Sequence, residues 1–85
     1  MMWHVYILRC GDGTLYTGIA KNVSKRFELH AAGKGARYTR GRGPLVLLFS
    51  AEIGTMAQAL SEERRIKKLS KKQKLKYIEN NNGPG

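Results

Sequence analysis

One cysteine, Cys10, stands alone in the 85 residues, so no internal disulfide can form and no thiolate cluster can hold zinc or an iron–sulfur centre. A reducing compartment, the cytoplasm, is the expected location. No apolar run approaches the roughly twenty residues that a membrane-spanning helix needs. The N-terminal stretch MMWHVYILRC carries His4 and Arg9 and lacks the small-residue cleavage site of an export signal. The sequence therefore predicts a soluble, unsecreted protein. Acidic residues are scarce as well. Asp12, Glu28, Glu52, Glu62, Glu63 and Glu79 are all 6 of them, scattered along the chain, so a two-metal centre built on clustered carboxylates is not expected.

Against these stand 16 lysines and arginines, for a formal net charge of +10. Such an excess attracts polyanions by counterion release and exceeds what solubility requires. Nucleic acid is the leading partner, ahead of an anionic membrane surface or a charge that serves solubility alone. The length suits one domain, expected over residues 1–79 with a flexible tail over 80–85.

Trp3, Val5 and Ile7 alternate with His4, Tyr6 and Leu8, the period-two pattern of a strand. Leu15 to Ile19 is a second strand-forming run, so the two should pair as a hairpin. A three-residue loop with Gly13 left-handed pairs Tyr6 with Gly18 and Leu8 with Tyr16, which sets both tyrosines on one face. A two-residue turn separates them; the odd-length loop is the expectation. Asn22 is a good N-cap. Val23, Phe27 and Ala31 follow at helical spacing and Gly33 is a natural stop, giving a helix over about residues 23–32. Residues 33–44 are glycine-rich and basic, with Lys34, Arg37, Arg40 and Arg42, and read as an exposed loop that wraps a phosphate backbone. The apolar stretch from Leu45 to Glu52 suits a buried third strand. Thr55 and Gln58 form a capping-box pattern that opens a helix to about Leu69, and Ser70 caps a last basic helix over Lys71 to Glu79. The order ββα-β-αα predicts an α+β domain with a three-stranded antiparallel sheet flanked by helices.

Several residues break structural rules. At about 100° per residue, Met56, Ala59, Leu60 and Glu63 share one apolar stripe of the second long helix, with Ile66 at its edge. Glu63 thus stands where a leucine is expected, and a carboxylate against a core needs a cation, hydrogen bonds or a metal. Periodicity leaves two readings open: a structural pair with a neighbour such as Lys67 one turn on, or a functional site. Arg26 and His30 lie four apart on the first helix and share a side, where each alone is more often a surface or packing residue. Tyr6 and Tyr16 alone are more often core aromatics than catalysts.

Taken together, these residues resemble the GIY-YIG nuclease family, whose two strand motifs appear here as Val5-Tyr6-Ile7 and Tyr16-Thr17-Gly18. Asn22-Val23-Ser24-Lys25-Arg26, His30 and Gly33-Lys34-Gly35-Ala36-Arg37-Tyr38-Thr39 follow at family-like intervals. The run Ala59 to Lys68 resembles the family's glutamate-bearing helix. The likeness covers about residues 3–78 and is greatest to small stand-alone bacterial members. Val5 departs from the glycine-isoleucine lead of the first motif and Thr17 from the isoleucine of the second. The distal asparagine of larger members has no counterpart, since Asn80 falls in the expected tail.

The resemblance implies a metal-dependent endonuclease that hydrolyses phosphodiester bonds, in DNA rather than RNA, with low sequence specificity. By it Glu63, not Glu62, ligates one divalent ion, Mg2+ or Mn2+. Tyr6 acts as general base or orients the water, Tyr16 and His30 assist, and Arg26 clamps the scissile phosphate. A phenol is a poor base at neutral pH unless positive charge lowers its pKa; Arg26, the metal and the basic surroundings are the expected source. Lys34, Arg37, Arg40 and Arg42 are the expected phosphate contacts. Two rival readings remain: a non-catalytic nucleic-acid-binding module of the same fold, working with a repair or ribosome-associated partner, and a metal-free ribonuclease using His4 and His30.

Overall fold

The computed structural model describes residues 2–81. The elements are β1 (Trp3–Arg9), β2 (Leu15–Ala20), α1 (Val23–Ala31), β3 (Val46–Gly54), α2 (Met56–Lys67) and α3 (Lys71–Asn81), in the expected ββα-β-αα order. The strands form one antiparallel sheet in the order β2-β1-β3. Among the described residues no helix is long and apolar enough to cross a membrane.

The hairpin has the odd-length loop. Gly13 sits at φ 87°, the Cys10 amide donates to the Thr14 carbonyl at 2.8 Å, and the Gly13 amide donates to the Cys10 carbonyl at 2.9 Å. Tyr6 consequently pairs with Gly18 and Leu8 with Tyr16, so both tyrosines share a face.

Strand β1 is paired along both edges, and helices pack on both of its faces. Val5, Tyr6, Ile7 and Leu8 are all buried. One face carries Val5 and Ile7 against Phe49 of β3 and Ile66 of α2, closed by Tyr77 and Ile78 of α3. The other carries Tyr6, Leu8 and Ala20, covered by Tyr16, Val23, Phe27 and Leu45.

Three details differ from the sequence reading, each for a packing reason. Strand β3 is an edge strand rather than a buried one: Val46 and Leu47 are exposed and Phe49 carries the burial. On α1 the inward stripe is Val23, Phe27 and His30, because the face turns His30 rather than Ala31 toward the sheet; His30 is buried and Ala31 exposed. On α2 the stripe centres on Ala59 and Ile66, both fully buried, while Met56 is exposed in the first turn.

The caps follow the sequence closely. Asn22 Oδ1 accepts the Lys25 amide at 3.0 Å. Thr55 and Gln58 make a reciprocal capping box, and Ser70 and Gln73 make a second one at the start of α3. Helix α3 continues to Asn81, whose side-chain amide donates to the Tyr77 carbonyl at 2.8 Å. Asn80 and Asn81, expected in the tail, are therefore helical, and residues 82–85 lie outside the described part of the chain.

Candidate active site

The hairpin register brings Tyr6 and Tyr16 together with ring centroids 6.4 Å apart, and α1 lays His30 against both. The His30 centroid is 5.8 Å from that of Tyr6 and 5.2 Å from that of Tyr16. Tyr6 Oη and His30 Nε2 are hydrogen-bonded at 2.8 Å in a buried setting. Gly18 makes this possible. A methyl group at its Cα would stand 2.6 Å from Tyr6 Oη and 2.7 Å from Cζ, closer than real contacts allow, so the strand opposite Tyr6 must carry no side chain.

Residues 33–44 are not the freely exposed loop that composition suggests. Thr39 is buried, with Oγ1 at 2.8 Å from His30 Nδ1 and donating to the Ala36 carbonyl at 3.0 Å. Tyr38 stacks on Tyr16 at 5.8 Å between centroids, and the Arg42 guanidinium lies 4.4 Å above the Tyr38 ring while pairing with Asp12 of the hairpin loop. The Gly11 amide donates to the Arg42 carbonyl, and a Cβ at Gly11 would collide with Gly43. Arg42, although its side chain is 41% exposed, thus ties this loop to the hairpin. Lys34, Arg37 and Arg40 are exposed.

The polar groups of this face feel one another. Burial is the largest influence on Tyr6 and raises its pKa above the ordinary value of 10.0; the Arg26 guanidinium pulls the other way, and the Tyr16 and Glu63 charges push up. Tyr16 is raised in the same way. Among the chain's own groups, desolvation outweighs Arg26 at the Tyr6 phenol. His30 is pushed below 6.5 by burial first and by Arg26 second, so it is neutral at pH 7.

Glu63 reaches this face only through its field, which raises both phenols. Its side chain is 15% exposed, and Lys67 Nζ lies 3.5 Å from its Oε2, so the local ion pair exists and does not exclude the site role. Its neighbour Glu62 is committed elsewhere. Arg65 donates to it through Nε at 3.1 Å and Nη2 at 2.8 Å, and Tyr77 Oη donates at 2.6 Å. Arg65 and then Tyr77 hold that carboxyl below 4.5. Among the described residues no three His, Cys, Asp or Glu side chains gather into a metal cage. A lone, mostly buried carboxylate suits a hard divalent ion that keeps most of its waters and shares a substrate phosphate.

Beside the site an open groove of about 520 Å³ runs between the β2 edge and α1, lined by Trp3, Ile19, Lys21, Lys25, Arg26 and Leu29 among others. Lys21 Nζ sits 5.5 Å from the Trp3 ring centroid. Neither lysine stands out in the sequence pattern, although Lys25 precedes Arg26 at the start of the same helix. Tyr38 and Thr39 were also given no role, although an aromatic and a threonine inside a glycine-rich loop are the residues with something to pack. His4 lies 4.0 Å from Glu52, away from the Tyr6 and Thr39 contacts that engage His30, which gives no support to a paired-histidine ribonuclease.

Residues 2–76 match the family model described as the GIY-YIG catalytic domain. A UPF0213 protein of Oceanobacillus iheyensis is 50% identical over 76 residues, spanning 89% of this chain and 88% of its own. One of Cronobacter sakazakii is 51% identical over 76 residues, spanning 89% and 80%. The solution NMR structure of a UPF0213 protein from Bacillus halodurans superposes with a TM-score of 0.62 at 42% identity, covering 99% of this chain and 89% of that one. That of a protein from E. faecalis gives 0.66 at 32%, covering 94% and 85%. On the family match, the fold and the hairpin that unites Tyr6 with Tyr16, the chain belongs to the GIY-YIG family, a nuclease-type family.

Proposed function

We propose that the protein is a divalent-metal-dependent endonuclease that hydrolyses phosphodiester bonds, in DNA in preference to RNA, with low sequence specificity. The carrying observation is the buried Tyr6 Oη to His30 Nε2 hydrogen bond at 2.8 Å, beside Arg26 and within the field of Glu63. A structural core has no need of that group of residues.

Hydrolysis needs a water stripped of its proton as it attacks phosphorus, and charge to offset the crowded anionic transition state. Burial raises the Tyr6 pKa, which favours a neutral phenol as a relay over a standing phenolate. It can pass a proton on: its Oη takes the proton of the attacking water while its own phenolic proton moves to neutral His30. The sum leaves a cationic imidazole; once the P–O bond breaks, the leaving oxygen takes a proton from solvent and the imidazole gives its own back, which restores neutral His30. The Arg26 guanidinium offers a planar fork to the phosphate oxygens. Tyr16, tilted against both rings, orients them. Glu63 would hold the ion, Mg2+ or Mn2+, which when bound supplies neutralising charge at the phosphate.

The excess of positive charge supports a sequence-independent grip on the phosphate backbone, through Lys34, Arg37 and Arg40 of the loop and Lys21 and Lys25 of the groove. Arg42 serves this grip indirectly, by holding the loop in place.

The test is cleavage of labelled linear, nicked and branched DNA and of RNA by purified protein, with magnesium, manganese or chelator. Metal-dependent cutting that Arg26→Ala abolishes supports the reading and reveals the substrate form. Tight binding without cutting under every condition overturns it in favour of a binding module.

A further inference from the structure

Thr39 stands out in its loop. Residues on either side, Tyr38 and Arg40, are exposed, yet Thr39 is 2% exposed, and a buried hydroxyl must find partners. Its Oγ1 has two: the Ala36 carbonyl at 3.0 Å and His30 Nδ1 at 2.8 Å. The loop backbone is built against the same ring. A Cβ at Gly35 would lie 2.3 Å from His30 Nδ1 and 2.6 Å from Cγ, so glycine there lets the chain close over the imidazole.

A carbonyl can only accept, so the one Thr39 hydrogen goes to Ala36, and the hydroxyl then offers Nδ1 a lone pair. A neutral imidazole carries a single N–H. If Nδ1 donates to Thr39, Nε2 holds the free lone pair, and the Tyr6 hydroxyl 2.8 Å away donates to it. The Ala36 amide approaches Nδ1 at 3.3 Å and favours the opposite arrangement, but it is the longest of the four contacts. The three shorter ones run in one direction: Tyr6 to Nε2, Nδ1 to Thr39, Thr39 to the Ala36 carbonyl.

We propose that Thr39 is a positioning residue that fixes His30 as the Nδ1–H tautomer, so that Nε2 is free to take the Tyr6 proton. Its catalytic consequence rests on the nuclease reading above; the tautomer itself does not. Thr39 touches no substrate and acts through His30 alone, as the partner of one ring nitrogen generally decides the role of the other.

Long-range ¹H–¹⁵N spectra of the histidine-labelled protein at neutral pH, without nucleic acid, read the tautomer directly. The expected result is a protonated Nδ1 and a lone-pair Nε2 on His30 in the wild type and in Thr39→Ser. Thr39→Val, which keeps the shape and removes the hydroxyl, should move the proton to Nε2 as the Ala36 amide becomes the remaining Nδ1 partner. In a cleavage assay kcat for Thr39→Val should fall about 10²-fold, the low end of what general acid–base transfer contributes, with KM unchanged and with rescue in Thr39→Ser. An Nε2–H tautomer in the wild type overturns the proposal, even in an active enzyme and even if Thr39→Val fails to fold. So does a tautomer that Thr39→Val leaves unchanged. The expected tautomers in a protein that cuts no nucleic acid uphold the Thr39 assignment and overturn the nuclease reading instead.

Discussion

The two faces of the sheet bury comparable side chains to different ends. The face under α2 and α3 is closed chiefly by Val5, Ile7, Phe49 and Ile66, groups without polar atoms, with the Thr17 hydroxyl buried opposite Ile7, and its stability is mainly a matter of area removed from water. The face under α1 and residues 33–44 buries Tyr6, His30 and Thr39, three polar groups that are tolerable there only because each hydrogen-bonds the next. A chain seeking stability alone has no reason to build the second face when the first shows the alternative. That contrast locates the function, and it can be broken from either side.

The largest effect is expected at Arg26. Arg26→Ala should lower the cleavage rate by about 10²–10³-fold, as loss of a transition-state charge partner commonly does, while urea unfolding shifts little. A mutant with wild-type turnover removes Arg26 from the chemistry.

A change of one methyl on each face separates packing from function. Gly18→Ala drives a Cβ into the Tyr6 phenol and should cost about 1–3 kcal/mol of stability as an overpacked site, with loss of cleavage even where the protein remains folded. Ile66→Val removes a methyl opposite β1 and should cost about 0.5–1.5 kcal/mol with kcat unchanged. Equal activity in the two variants, measured at matched folded fraction, would erase the distinction between the faces.

Tyr77→Phe deletes the hydroxyl that donates to Glu62. It should cost about 1 kcal/mol, the usual net value of such a bond, by chemical denaturation, and leave cleavage alone.

The smallest effect is on pH dependence. His30 is held below 6.5 in the folded protein, so between its folded pKa and 6.5 the unfolded chain binds more protons and stability falls as pH falls. The decline begins near 6.5, levels off below the folded pKa, and is absent in His30→Gln. Asp12 and Glu62 are held below 3.8 and 4.5, so the stability they contribute is lost at more acidic pH. Urea titrations between pH 8 and 5 isolate the histidine.

Much of this was legible in the sequence, and the reasons are local. The hairpin register followed from Gly13 and the strand pattern, and the helix starts followed from Asn22, Thr55 and Ser70, because turns and caps are decided by residues a few positions apart. Glu63 was legible as a carboxylate on an apolar stripe, though the stripe proved to centre on Ile66. What escaped was decided at long range. The apolar run in β3 promised a buried strand, but strand order, and with it exposure, is set by which neighbour pairs with β1. Thr39 and Tyr38 looked like loop residues because nothing nearby in sequence tells that the loop folds back onto His30 and Tyr16. The ion pair of Arg42 with Asp12 is not legible either, because the two lie thirty positions apart.

The most direct test uses two adjacent carboxylates on one helix. Glu62 is bound by Arg65 and Tyr77, whereas Glu63 acts on Tyr6 and Tyr16. Glu62→Gln and Glu63→Gln should be compared for metal-dependent cleavage and for unfolding. The account predicts that Glu62→Gln is less stable and fully active, and that Glu63→Gln folds well and loses cleavage by about 10²-fold or more. A Glu63→Gln protein that cuts as well as wild type would contradict it.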